Sequence, residues 1–464
     1  MDLTANNLNR QLAVDDRRRD YCCRNEGKDS MRPVRVLLPL FVVLLGLAST
    51  ARAAIYTAPS CSTSDVQAAI NSASDGDTVI IPNGSCTWTS GISTAKQITL
   101  RGASVGGVTI TYGAAANSPT TLMAFTIGNT FHTRVANLRF MPGTCTTGTQ
   151  CGGVYISLQG TGQVPLMHDM YFNLPNFGLA HAVEWKLTGG VIWNTTFEST
   201  DNLGGACGDD VGSDSGSLLV KSSIDWDAAS TLGTLDTNGD KNLYIEDSTF
   251  SYVLQAPDVD DNGRVVIRHN QFIASGGLTH GTTSVFGGRQ VEIYDNVMTF
   301  PNPNRNISRW FWFRGGTGVI TGNNVQALNG PCYPGKDSWT FTVENAKRGD
   351  NHGCCTGYMC FHQPGSGSDG TSGHTFVSAG QNPDDTFQIP DPVYVWGNSG
   401  DGASILHLND ADPVCPGTFS TTDFFQSNRD YFLDSGPKPG WTRYSYPHPL
   451  RRIAPAPPTN LRVR

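Results

Sequence analysis

The run LYIEDSTF at 243–250 is followed by VVIRHNQF at 265–272, VEIYDNVM at 291–298 and GVITGNNV at 318–325. Each places an aliphatic residue three positions before a small or amide residue, and an apolar residue two positions after it. Outward from these, the pattern is read at Val135-Leu138-Phe140, Met167-Met170-Phe172, Ile192-Thr195-Phe197 and Leu219-Ser222-Ile224. Segments therefore recur roughly every 26 residues, and Val395 with Asn398 resumes the series after a long interruption. A short strand cannot bury its apolar side alone, but coils stacked on one another make a continuous core. The expected fold is all-β: a single-stranded, right-handed parallel β-helix with aliphatic and aromatic columns pointing inward. The Ser/Asn column marks a tight bend, where amides can bond along the stack and the backbone can turn left-handed. The 52 glycines suit a chain with several bends per coil.

Such a stack needs covers at its ends. Ser64-Asp65-Val66-Gln67 reads as a capping box, and Val66, Ala69, Ile70 and Ala73 follow helical spacing, so a short amphipathic helix is the expected N-terminal lid. The segment VQAAINSASDGDTVIIPNGSC (66–86), a lid helix running through Gly-Asp-Thr-Val into a first coil, resembles the entry of pectin-lyase-like parallel β-helix proteins. The coil pattern over 98–325 extends that resemblance across most of the chain. It implies polysaccharide lyases or polygalacturonase-like hydrolases, with substrate lying along one strand face and the bend after it.

Residues 1–53 read as an upstream extension and a signal peptide. Met31 with Arg32 and Arg35 gives a basic lead, Val36–Leu47 an apolar run too short for a membrane anchor, and Ala51-Arg52-Ala53 a cleavage pattern. The expected organisation is then 54–328 helix, 329–390 Cys/Gly-rich insertion walling the groove, 391–453 last coils and C-terminal cap, and 454–464 tail. The chain is expected to be exported and monomeric. Its net charge of −8 argues against nucleic acid, whose phosphates need a basic face, but a local arginine cluster could still meet an acidic sugar polymer. Of the 12 cysteines, Cys22 and Cys23 fall in the leader, and the even remainder reads as disulfides of an exported protein. Cys61 with Cys86, and Cys145 with Cys151, are close enough to pair locally. Cys354, Cys355 and Cys360 would staple a loop to Cys332 or Cys415.

With the Asn bend placed between second and third strands, the first strands fall near 231–235, 255–259, 279–285 and 310–314. That face runs from acidic (Asp236, Asp240, Asp258, Asp260, Asp261) to basic (His280, Arg289, Arg314). Trp310 and Trp312 at its end, and Tyr294 elsewhere, are aromatic candidates for sugar contact. A second outward column beside the Asn bend carries Glu246, Arg268, Asp247, His269 and Asp295, and reads as structural. His168, His181 and His352 stand alone and read as hydrogen-bonding groups. Asp236-Thr237-Asn238-Gly239-Asp240 alternates oxygen ligands as a calcium loop does, but Lys241 stands where an EF-hand requires glycine. An irregular Ca2+ site shared with Asp258, Asp260 and Asp261 is one reading, and ordinary Asx turns are the other.

Two reactions suit this groove. β-Elimination in a uronic-acid polymer needs the carboxylate next to C5 neutralised and the C5 proton removed. Arg289 and Arg314 suit the first task, as would calcium, and His280 suits the second. Some lyases of the superfamily use an arginine base, which by resemblance adds Arg268 to Arg289 and Arg314. Hydrolysis needs two carboxylates, and Asp260-Asp261, Thr279-His280-Gly281 and Arg314 follow the polygalacturonase order. Thr279 replaces a glycine of that order, and no lysine follows Arg314. A lyase is the leading expectation, a hydrolase the next, and a non-catalytic glycan-binding β-helix the third.

Overall fold

The computed structural model describes residues 53–114, 120–143, 153–174, 181–199, 216–221, 236–253, 256–279, 288–299, 309–326, 339–344, 364–368, 388–400, 406–409 and 425–452. Its strands form three long parallel sheets, of 12, nine and 10 strands, and the coils between the two ends of the stack contribute one strand to each sheet in turn. A strand of the first sheet such as Arg264–Arg268 is followed by Gln271–Ile273 in the second and Gly277–Thr279 in the third, before Gln290–Tyr294 returns to the first. The expected parallel β-helix is what the sequence builds.

The inward columns hold it together. Ile192, Ile245, Ile267, Ile293 and Ile320 are register partners on successive strands of the first sheet, all buried. In the second sheet Phe172, Phe197, Phe250 and Phe272 stack ring on ring with centroids 4.9 to 5.0 Å apart. The amide of Asn296 accepts from the backbone N–H of Asn270 at 2.9 Å, and that of Asn323 from the N–H of Asn296 at 3.0 Å, so the bend between first and second sheets is laced coil to coil. Just before each ladder residue the backbone is left-handed: Asp247 at φ +47°, His269 and Asp295 at +57°. Asp and Asn tolerate this region better than bulkier residues.

One coil departs from the expectation. Ile192 pairs directly with Ile245, and Gly216–Lys221 continues the third sheet after His181–Lys186. Leu219 thus does not belong to the Asn bend, and Ser222 lies outside the described residues. Leu218, Leu219 and Val220 are all buried, and a strand covered on both faces loses the alternation that distinguishes one sheet from another.

The lid helix spans Thr63–Ser72, with Val66, Ala69 and Ile70 buried. Its N-cap is Ser62, whose hydroxyl accepts from the Asp65 N–H, rather than Ser64. Gln67 instead bonds the Ser93 N–H at 2.9 Å, tying the helix to the coil beneath. Cys61 and Cys86 are disulfide-bonded as expected, and the other proposed pairs lie outside the described residues. The leader and most of the 329–390 insertion also lie outside them. Among the described residues no helix is long and apolar enough to cross a membrane.

The segment 441–452 folds back along the outer face of the first sheet, not over the end of the stack. Trp441 Nε1 donates to Glu292 at 2.9 Å, Arg443 pairs with Asp295, Tyr444 packs edge-on to Tyr244, and Arg451 reaches Glu246 and Asp247. The charged column beside the Asn bend is therefore an anchor for this strap.

Candidate functional site

The strap covers the first sheet around Glu246, Arg268 and Glu292, and a further group of ionisable side chains gathers on the third sheet. Strand pairing sets two outward columns there. One runs Ser157, Glu184, Leu219, Asp258, Leu278, Trp312. The other, two residues on, begins Gln159, Lys186, Lys221. Because Leu219 pairs with Asp258, Asp260 continues that second column. Neighbouring strands are about 4.8 Å apart, so residues remote in sequence become a row.

The chain turns sharply after Asp258. The Gly263 N–H donates to the Asp260 carbonyl at 2.8 Å, with Asp261 at φ +37° and Asn262 at φ +62° between them. Two consecutive positive φ values mark a type I′ turn, which Asp and Asn can adopt. The turn brings both carboxylates to one ammonium, Lys221 Nζ, at 3.0 Å from Asp260 and 2.7 Å from Asp261. Burial pushes the Lys221 pKa down, but the hydrogen bond that Lys221 donates to Asp261 and the charge of Asp260 outweigh it and hold the group above its ordinary value. Beside them the Asp258 carboxylate, 2% exposed, lies 3.6 Å from His181 Nε2. Below, Glu184 takes a hydrogen bond from Ser157 at 3.1 Å and pairs with Lys186 at 2.7 Å.

Arg314 stands farther along the row, which strand pairing continues to Glu344 and Asn409. Its Nε donates to the Thr279 carbonyl at 3.0 Å, and its own N–H to the Thr279 hydroxyl at 2.8 Å. Its guanidinium lies 4.2 Å over the Trp312 ring. From Lys186 to Arg314 the row is about 19 Å long at one strand spacing per coil.

The structure brings Asp258, Asp260, Asp261, Trp312 and Arg314 to this face. Several other expected site residues are elsewhere. Arg268 is fully buried on the first sheet, donating to Glu246 at 2.8 Å, to Tyr294 at 3.0 Å and to the strap carbonyls of Tyr444 and Ser445, so it is a structural cation and not a base. Tyr294 is buried under the same strap against Trp441, closed to sugar. Trp310 points into the core, 1% exposed, with its ring edge-on to Phe272. Arg289 is 2% exposed, where burial lowers its pKa against the opposing pull of Asp391, and Arg314 is 7% exposed, so either would have to be uncovered to meet a substrate carboxylate. His280 lies outside the described residues.

The calcium reading does not fit the side chains present. Asp236 spends its carboxylate on the backbone N–H groups of Asp240, Lys241 and Asn242, the Asx-type turn that was the alternative. Asn238 and Asp240 are exposed on that turn, where Gly239 lies against His448. Asp260 and Asp261 already hold a cation, the ammonium of Lys221. No cluster of three metal-binding side chains occurs among the described residues.

Lys221, Lys186 and Glu184 are the residues of this row that sequence reasoning missed, and His181, read there as a lone hydrogen-bonding group, lies beside Asp258. The outward parity of Gly216–Lys221 would have found Lys221, had the strand been assigned to the third sheet, and its register with His181–Lys186 would then have found Lys186.

No family model matches the chain, and no curated protein matches it. Among solved structures it is similar to a PL6 family polysaccharide lyase from Pseudopedobacter saltans, at 13% identity and TM-score 0.41, over 86% of this chain and 90% of that one. It is also similar to an alginate lyase from Paenibacillus sp. str. FPU-7, at 14% identity and TM-score 0.32, over 58% of this chain and 94% of that one. A third is the catalytic domain of a GH87 alpha-1,3-glucanase, at 11% identity and TM-score 0.32, over 78% of this chain and 66% of that one. The architecture stands on the three parallel sheets. The chain folds as a right-handed parallel β-helix. Lyases and a glucanase are both among the neighbours of this β-helix, so likeness does not choose a chemistry.

Proposed function

We propose that this protein is an exported polysaccharide-degrading enzyme that cleaves a uronic-acid polymer by β-elimination. The observation that carries the reading is the row on the third sheet: Lys221 braced by Asp260 and Asp261, with Arg314 stacked on Trp312 farther along. Cations on such a face bind a substrate carboxylate and spread the negative charge that builds when C5 loses its proton. The base takes that proton, its electron pair becomes the C4–C5 double bond, the C4–O bond breaks, and the departing oxygen takes a proton. His280, next in the chain after Thr279, is the proposed base. Lys221 is protonated at neutral pH and fits the cationic role.

The hydrolase reading has less support. It needs two carboxylates facing each other across the scissile bond, about 6.5–9.5 Å apart for inversion. Asp260 and Asp261 are consecutive and both turned onto one ammonium.

The test is incubation with neutral and uronic-acid polysaccharides, scored for reducing ends and for the ultraviolet absorbance of unsaturated ends. The proposal expects both signals from a uronate polymer. Reducing ends without the absorbance would make it a hydrolase, and neither signal from any polymer would leave a binding module.

A further inference from the structure

Lys186 and Lys221 are direct register partners on adjacent strands of the third sheet. Both side chains leave the same outward face, with their backbones about 4.8 Å apart. Like charges set opposite each other on neighbouring strands destabilise a sheet. Here each ammonium is offset by its own carboxylates, and on different sides. Lys221 turns up the stack to Asp260 and Asp261, while Lys186 is held by Glu184 of its own strand. Glu184 is itself fixed by the Ser157 hydroxyl one coil below. That pairing orients Lys186 without using it up: an ammonium has three donors, and this side chain is 38% exposed against 28% for Lys221.

One strand spacing is also close to the length of one sugar in an extended glycan. A chain lying along the row with one carboxylate at Lys221 would carry its neighbour's past Lys186. Resting on the reading of this face as a uronate site, we infer that Lys186 is a second carboxylate-binding position, one sugar away from Lys221. It makes the groove select runs of adjacent uronates over polymers in which uronates alternate with neutral sugars. Beyond Lys186 the column continues as the uncharged Gln159, so the demand for charge ends after two sugars on that side.

The experiment compares wild type, Lys186→Gln and Lys186→Arg on a polyuronate homopolymer and on an alternating polymer. Binding is measured by affinity electrophoresis and turnover separately. Loss of one charge-assisted contact should weaken homopolymer binding about tenfold in Lys186→Gln, with KM moving and kcat nearly constant. Lys186→Arg should restore binding, and the alternating polymer should change less than about twofold. Unchanged homopolymer binding in Lys186→Gln, or equal weakening on both polymers, overturns the inference. Lys186-dependent binding without cleavage would uphold this position while sinking the lyase reading. Cleavage indifferent to Lys186 would do the reverse, and absence of both binding and cleavage would remove the two together.

Discussion

Lys221 and Asp261 are 40 residues apart in the chain and 2.7 Å apart in space. A coil of the helix closes that distance, and a type I′ turn at Asp260–Gly263 aims the carboxylates. Replacing Lys221 with Met keeps the length of the side chain and removes its charge. Turnover should fall by about 100-fold or more, the scale for losing one preorganised charge at a reacting centre. Circular dichroism should show the β-helix intact, because the residue is on the outer face. Full activity in Lys221→Met would mean that the row is not the reacting centre.

Arg268 and Arg314 make opposite predictions. Arg268 is a fully buried partner of Glu246 under the strap, and taking one member from such a pair costs about 3–5 kcal/mol. Arg268→Met should therefore lower the thermal midpoint sharply, while the protein that remains folded turns over normally. Arg314→Met should lose activity with a much smaller change in stability. Kinetics and thermal melts on the two variants separate these outcomes, and an exchange of the two phenotypes would contradict the assignment.

The inward columns were the legible part of the sequence. Ile245, Ile267, Ile293 and Ile320, with the amides of Asn270, Asn296 and Asn323, recur because every coil must refill the same core position and the same bend. The third sheet was less legible. Leu219 with Ser222 and Ile224 matches the aliphatic–Ser–aliphatic spacing by composition, yet its strand is paired with His181–Lys186. That one misplaced strand moved Lys221 from the groove to the bend, and hid it. Arg268, Tyr294 and Trp310 failed for another reason: no local pattern tells that a strap some 150 or more residues away will bury two of them, or which face of a strand of large aromatics turns inward.

The ladder itself is open to test. Asn296 donates to the carbonyls of Ile267 and Tyr294 and accepts from the Asn270 N–H. Asn296→Ala would orphan buried groups at about 1–3 kcal/mol each, so a loss of about 3 kcal/mol is expected in a denaturant titration. Asn194→Ala, at an exposed position of the neighbouring bend column, should cost far less.

Acid should weaken the fold in a definite window. His168, His269 and His448 all have pKa values lowered first by burial. The unfolded chain then binds more protons than the folded one below the ordinary histidine value of about 6.5. Stability from these groups is complete above that pH and is lost as pH falls through the depressed folded values. Denaturant midpoints measured from pH 8 to 4 should be flat above about 6.5 and decline below it. Replacing His448, whose Nε2 meets the Asp236 carbonyl at 2.9 Å, with Gln should make the decline shallower.

The most direct measurement is mass spectrometry of oligosaccharides released from a polyuronate by the wild-type protein. β-Elimination yields new ends lighter by one water than those of hydrolysis, and these should be absent with Lys221→Met. Fully hydrated ends, or the same products from the variant, would contradict the account.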